Sequence, residues 1–572
     1  MKKKIHYLAL IIMLFSFYNM YSQRWKWAKS AGGDQKVESY AIAIDSIGNS
    51  YVTGWFEDSL IFGTTTLVTS VAGNNFASDV FIAKYDKDGN FIWAKKAGGT
   101  NYDYANGIAT DKNGNVYLTG LFIGTATFGT LSITSSTNDY DVFIAKYDSN
   151  GNALWVKKGG GNVWDVGSGI AIDNQNNCYI TGAYRNTATF GTTSFTSAGN
   201  YDIFVAKYDT GGNFLWAKSA GGTGDDRGQS ICVDHMGNCY LTGFFKSTMT
   251  ISTNTLNPIG DSDIFLAKYN SSGVPQWGKG FGGLLADEGL SIKVSRSGDI
   301  YVTGYYTDVA TFDTTVVNGY GNADAFVGKY DYKGDLIWVK KYGGTQNDKG
   351  YGISLDTFNN VYATGSFWGT GNFDTISIAS FNQDDAFVVG INNNAQTKWV
   401  LKGGGINTDV SRAIAASEYG YCYVSGYFHG TASFGDNSIS SIMSSNDFFV
   451  SKIDSTFIYD SIPLVDTIPT DTVPNSIITN AMSNDLLKVV VYPNPFQTSA
   501  IIAIENGTTT QQIEVFDLIG NNVSSSFEIS EGRNGNYNKQ FVIKGEEAKA
   551  GIYFLKVRNA TSEKISRLIL MK

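Results

Sequence analysis

Proline, cysteine and histidine are scarce in this sequence, with 7, 4 and 3 copies among 572 residues. So little proline, beside 42% hydrophobic residues, excludes a disordered low-complexity chain and leaves material for a large core. Past the N-terminal region only His235 and His429 remain. Neither has a second His or Cys at ligand spacing, which argues against a zinc site. No Gly-x-Ser-x-Gly elbow and no phosphate loop occurs, so no catalytic motif and no cofactor is expected. The first cysteine is Cys178, which excludes a lipid-bearing cysteine just behind a signal sequence. The one notable apolar run, Leu8 to Phe17, is too short to span a bilayer. Behind Lys2, Lys3 and Lys4 it reads as a secretory signal over residues 1–23, leaving no transmembrane segment once removed. A net charge of −9 disfavours nucleic acid as a partner.

What the chain has in abundance is glycine, 65 residues, and aromatics, 14%, the mark of many short strands between turns. Trp27, Trp93, Trp155, Trp216, Trp277, Trp338 and Trp399 each open a copy of one unit of about 61 residues. Paired glycines follow each Trp at fixed offset, and a Tyr lies 24 residues on: Tyr51, Tyr117, Tyr179, Tyr240, Tyr301, Tyr362 and Tyr423. A third anchor, Asp-x-Phe, recurs at Asp79, Asp141, Asp202, Asp263, Asp324, Asp385 and Asp447, always 14 residues before the next Trp where one follows. In one copy, Gly107–Asp111 and Val116–Gly120 read as a hairpin, and Asp141–Asp148 and Ala153–Lys157 as a second. These are strands a, b, c and d, counted outward from a common axis. Near-continuous apolar character in a to c fits sheets covered on both faces. The chain begins with a lone d strand (Trp25–Lys29) and ends its repeats with a, b and c (Ala413–Asp454), so one sheet is completed from both ends.

The pattern WxKxxGG…GIAxD…GNxYxTG…DxFIAKYDxxGN resembles the seven-bladed β-propeller repeats termed SBBP in bacterial surface and secreted proteins. The resemblance implies a propeller and an extracellular setting but no ligand. Residues 455–487, with Pro463, Pro469 and Pro474, read as an extended linker, and strand signals return from Lys488 to Lys572. The tail resembles the C-terminal sorting domain of the type IX secretion system, through Tyr492-Pro493-Asn494-Pro495, Gly520, Gly551, Tyr553 and the closing run to Lys572. That implies export by this machinery, then release or anchoring at the outer cell surface. The expected fold is therefore all-β: a signal (1–23), a seven-bladed propeller (24–454) closed by its N-terminal outer strand, a linker (455–487) and a small Ig-like β-sandwich (488–572).

Candidate site residues are few. An aspartate stands ten residues after six of the tryptophans: Asp103, Asp165, Asp226, Asp287, Asp348 and Asp409, with Val37 in the remaining copy. They would form a ring near the channel mouth, able to hold a cation, or else cap backbone amides once per blade. The strand-c lysines (Lys84, Lys146, Lys207, Lys268, Lys329 and Lys452) read as structural. All variation in spacing falls between b and c, where Phe76, Tyr184, Arg185, Lys246, Tyr305, Tyr306, Phe367, Trp368, Phe428 and His429 stand. Such loops are where recognition sits on rigid scaffolds. Asp-x-x-Gly-Asn sequences such as Asp111–Asn115 read as capped hairpin turns rather than calcium loops. Cys232 and Cys239 flank one hairpin turn and could pair in an oxidising compartment. The expected role is a monomeric, non-enzymatic module for an extracellular glycan or protein. A polysaccharide-degrading enzyme would instead need one carboxylate pair roughly 5–9.5 Å apart. A purely structural surface-layer or gliding-associated role stays open.

Overall fold

The computed structural model describes residues 23–71, 77–417, 420–443 and 445–454, and in the tail 477–478, 488–492, 499–505, 512–516, 522–531, 539–544, 551–558 and 563–570. The signal region, most of the linker and Phe76 lie outside the described residues. The chain divides into two compact units, residues 1–460 and 461–572. Apart from one short 3-10 turn, the regular structure described is all β.

In the first unit one antiparallel order, a-b-c-d, recurs. It runs through Val37–Ile44, Ser50–Glu57, Ser78–Tyr85 and Phe91–Gly98, then through Tyr104–Thr110, Val116–Ile123, Tyr140–Tyr147 and Ala153–Gly161. Four more sets follow this order. The last set takes a, b and c from Val410–Ala416, Tyr421–His429 and Asn446–Asp454, and its d strand is Arg24–Ala31 from the other end of the chain. Trp27 pairs with Lys452 and Ala31 with Phe448.

The sequence anchors explain this order. In each set the buried strand-b Tyr meets the strand-d Trp with ring centroids 6.0–6.4 Å apart, from Tyr51–Trp93 to Tyr423–Trp27. Such pairs add about 0.5–1.5 kcal/mol each beyond the area they bury. The strand-c lysine crosses the same Tyr face, Lys84 at 4.9 Å from the Tyr51 centroid, and donates to a turn carbonyl of the following set. Lys84 reaches Ser149 O, Lys146 Thr210 O, Lys207 Ser271 O, and Lys452 Lys87 O. The last of these bonds joins the final set to the first. The a strands of successive sets stand side by side, and that of the last set stands beside that of the first. Hydroxyl contacts stitch neighbouring sets, Thr110 Oγ1 to Ile44 O at 2.7 Å between a strands and Ser39 Oγ to Ser425 Oγ at 2.9 Å from the first a strand to the last b strand.

Two expectations are corrected here. The b-to-c segments are not loops but second hairpins, such as Thr125–Phe128 with Leu131–Thr134. Each of five lays its first strand on the glycine end of the preceding d strand, as Thr127 does on Gly98. The hairpins bury Phe128, Phe190, Phe312, Phe373 and Phe434. Their Thr-Ala-Thr-Phe alternation is a half-buried strand pattern, and it accounts for the long repeat. All four cysteines are buried, and Cys232 and Cys239 are free thiols. Cys232 lies in a core cluster with Tyr240 and Ile264, and Cys239 in another with Tyr179 and Val205, so they occupy opposite faces of one sheet and cannot pair.

In the second unit Ile477–Ile478, Lys488–Tyr492, Ser499–Glu505, Lys539–Lys544 and Glu528–Glu531 form one sheet. Gln512–Phe516, Gly551–Arg558 and Glu563–Leu570 form another. The pair at Ile477–Ile478 starts within the segment expected to be linker. Val515, Leu555 and Val557 are buried.

Candidate functional site at the mouth of the inner strands

The six candidate aspartates are fully buried, five just before strand a and Asp226 as its first residue. One carboxylate oxygen accepts the N–H of the second glycine of the pair, Gly99, Gly161, Gly222, Gly283, Gly344 or Gly405, at 2.6 Å in all six. The other accepts an N–H at the end of strand b, from Ile123, Arg185, Lys246, Thr307, Trp368 or His429, at 2.8–3.3 Å. Each Asp therefore pins the d-to-a connection to the b strand, the capping arrangement, and its carboxylate does not open on solvent.

The strand-c aspartates lie beside them. Their Oδ2 accepts a backbone N–H from the b-to-c segment, as Asp79 does from Ser70 at 2.9 Å. Their Oδ1 is buried without a partner in every copy, Asp79, Asp141, Asp202, Asp263, Asp324, Asp385 and Asp447. Between the two acids sits a glycine whose missing Cβ makes room for both. At Gly343 (φ 144°) a Cβ would stand 2.5 Å from Asp324 Oδ1 and 2.7 Å from Asp348 Oδ2. Burial, opposed by the backbone N–H bonds and reinforced by the facing carboxylate, pushes these acids up: Asp165 to about 8, and Asp287, Asp348 and Asp409 to about 7. Among the described residues no three His, Cys, Asp or Glu side chains converge as metal ligands would.

Three residues further along, the a strand breaks register in every copy. The ladder slips between Ser39 and Ala41, Ala105 and Gly107, Gly167 and Gly169, Gly228 and Ser230, Gly289 and Ser291, Gly350 and Gly352, and Ser411 and Ala413. The extra residue of each bulge is Tyr40, Asn106, Ser168, Gln229, Leu290, Tyr351 or Arg412. A bulge re-aims a side chain without disturbing the sheet behind it. Identical geometry thus carries six different residue types. Around Arg412 the group is dense. Its guanidinium lies 4.4 Å from the Tyr351 ring centroid, 5.4 Å from Tyr40 and 5.6 Å from Tyr427. Lys349 lies 3.9 Å over the Tyr305 ring, and Tyr40 donates to Glu38 at 3.2 Å.

Of the aromatics singled out from sequence, Tyr306 is wholly buried against Phe312, Tyr305 is 9% exposed beneath Lys349, and Trp368 is 42% exposed. The bulge residues escaped sequence reasoning because their signal is variation at one fixed offset, thirteen residues after each Trp, between small neighbours (Gly, Ala or Ser). In the tail, Pro493, Asn494, Pro495, Gly520 and Lys572 lie outside the described residues, Tyr492 and Gly551 fall in strands, and Tyr553 packs edge-on against Phe527 at 4.8 Å.

The chain carries a β-propeller repeat and a secretion sorting tail. Residues 92–121 match the beta-propeller repeat family, SBBP, and residues 490–571 match the secretion system C-terminal sorting domain. The tail is of the type IX kind. It directs the chain through that secretion machinery, with attachment to the outer cell surface. Among curated proteins, the chain is 24% identical over 475 residues to the uncharacterized WD repeat-containing protein L264 of Acanthamoeba polyphaga mimivirus, covering 66% of this chain and 34% of that one. It is also 24% identical over 374 residues to the regulatory protein FlaEY of Caulobacter vibrioides, covering 59% and 38%. The match thus spans little more than a third of the length of these relatives. Among solved structures, the quinohemoprotein alcohol dehydrogenase of Comamonas testosteroni aligns at a TM-score of 0.35 and 11% identity, over 74% of this chain and 76% of that one. A duf4221 family member from Bacteroides vulgatus aligns at 0.30 and 10%, over 76% and 98%.

Proposed function

We propose that residues 24–454 form a closed seven-bladed propeller, displayed outside the cell, that binds an extracellular glycan or protein at the mouth of its inner strands. Closure is supported by the d strand lent from the N-terminal end and by Lys452 making to Lys87 the bond that other copies make to their followers. The observation that carries the binding role is the ring of bulge residues. Sites that serve only the scaffold repeat with it, as the capping aspartates do, whereas the bulge position differs from copy to copy. Exposed Trp164 and Ile406 stand on d-to-a connections and Phe381 on a neighbouring hairpin strand, apolar groups suited to sugar faces or a partner protein. Two clefts of about 370 and 350 Å³ lie beside the glycine pairs Gly160-Gly161 and Gly404-Gly405.

The test is a glycan array and a surface-protein pull-down with the exported chain and with a Tyr40→Ser, Tyr351→Ser double variant. Binding that is lost in the variant while its melting temperature holds is the expected result. A variant that binds like the parent would refute the site, and a parent that binds nothing would leave a scaffold role.

A further inference from the structure

Building on this binding mouth, we propose that Arg412 is a carboxylate-recognising subsite, and that the ligand is an acidic glycan presenting a uronate group. The guanidinium is enclosed by rings, with Glu38 acting on it only through its field. Tyr351, Tyr40 and Tyr427 surround it at 4.4–5.6 Å, and its Nε is buried with no acceptor. Among the described residues it forms no ion pair and no hydrogen bond. The nearest acid of its group, Glu38, is already engaged: one oxygen accepts Asn446 Nδ2 at 2.9 Å and the other the Tyr40 hydroxyl. A buried guanidinium donor left unmatched costs free energy, and a planar carboxylate is the acceptor its forked N–H groups fit.

The surroundings narrow the ligand further. Tyrosine rings offer flat apolar faces with polar rims, as a pyranose requires. Asn106, Ser168 and Gln229, at the equivalent bulges of other copies, supply amide and hydroxyl groups for sugar hydroxyls. Glu38, Glu288 and Asp384 stand near the same mouth, and the chain carries a net charge of −9. A densely charged phosphate polymer or nucleic acid would be repelled there, whereas one carboxylate per sugar ring can pair with Arg412 while the ring stacks on tyrosine.

The experiment titrates the full chain with a galacturonate oligomer and with the same oligomer as its methyl ester. The acid form is expected to bind at least tenfold more tightly at low salt, and the preference to shrink as salt rises. Arg412→Gln should erase the difference between acid and ester. Arg412→Lys should restore only part of it, since an ammonium offers no fork. Equal binding of acid and ester by the parent, a comparison that needs no variant, overturns the proposal. So does an acid preference that survives in a folded Arg412→Gln protein. If neither oligomer binds but a neutral glycan or protein is retained through Tyr40 and Tyr351, the carboxylate subsite falls and the binding mouth stands.

Discussion

Ten residues after six of the seven repeat tryptophans the chain places the same aspartate, and thirteen residues after all seven it carries six different residue types. The aspartate joint and the bulge belong to the same strands, yet they answer to different demands. At the joint, a buried carboxylate holds two backbone amides, and a neighbouring glycine leaves no room for a Cβ. Any departure leaves buried N–H groups unpaired, so one solution recurs. At the bulge the backbone takes the extra residue whatever its side chain, so side chains as different as Asn106, which donates to Gly167 O, and Leu290 stand at the same place. Regularity here marks what the fold needs, and irregularity marks what the fold can spare.

The largest test of this contrast removes the outer strand altogether. Deleting Arg24–Ala31 exposes the edge of Asn446–Asp454 and strips Trp27 from Tyr423. A loss on the order of 5 kcal/mol or more is expected in urea unfolding. At the joint, Asp348→Ala leaves the Gly344 and Trp368 amides without their acceptor and should cost about 2–4 kcal/mol in the same assay. The facing acid should behave in the opposite way. Asp324→Asn puts an N–H donor where Oδ1 has no partner, beside Asp348 Oδ2, and removes a like charge. It should raise the melting temperature at pH 8.

A pH series separates these terms. Burial lifts the joint carboxyls above their unfolded value of about 4, to about 7 for Asp287, Asp348 and Asp409 and about 8 for Asp165. Their contribution is whole below pH ~4 and is lost as the pH climbs through the folded values. Melting temperature should therefore fall between pH 5 and pH 9, and less steeply in Asp324→Asn. A stability that rises over this range would break the account. The smallest effect belongs to the bulge: Gln229→Ala should change stability by no more than about 0.5 kcal/mol. A larger loss would mean that the ring is scaffold after all.

The recurrent strands, their order and the shared sheet were legible because Trp, Tyr, Lys and Asp recur at fixed offsets, and each performs one packing task per copy. The capping role of Asp103 and its counterparts was legible too, as one of two readings of a strict repeat. The hairpins between b and c were missed because their lengths differ and their alternation is brief. Arg412 was missed because neither its bulge nor the three tyrosines around it can be seen from one strand. Tyr40 and Arg412 lie at opposite ends of the repeats and meet only when the first and last sets stand side by side. Tyr306 read as a surface aromatic because no pattern in the chain reveals that the hairpin folds over it.

The sheet assembled from both ends of the repeats also sets an order in time. Six of the sets are built from consecutive residues and can form as soon as their own stretch of chain is free. The seventh pairs Arg24 with Asp454, so its outer strand must wait for nearly the whole first unit to follow. The entropic cost of joining such distant residues grows only logarithmically with the length between them, and prior folding of the intervening sets shortens the effective distance. Assembly should therefore end in a single late step, and every chain interrupted before Asp454 would carry an idle strand with nothing to pair it.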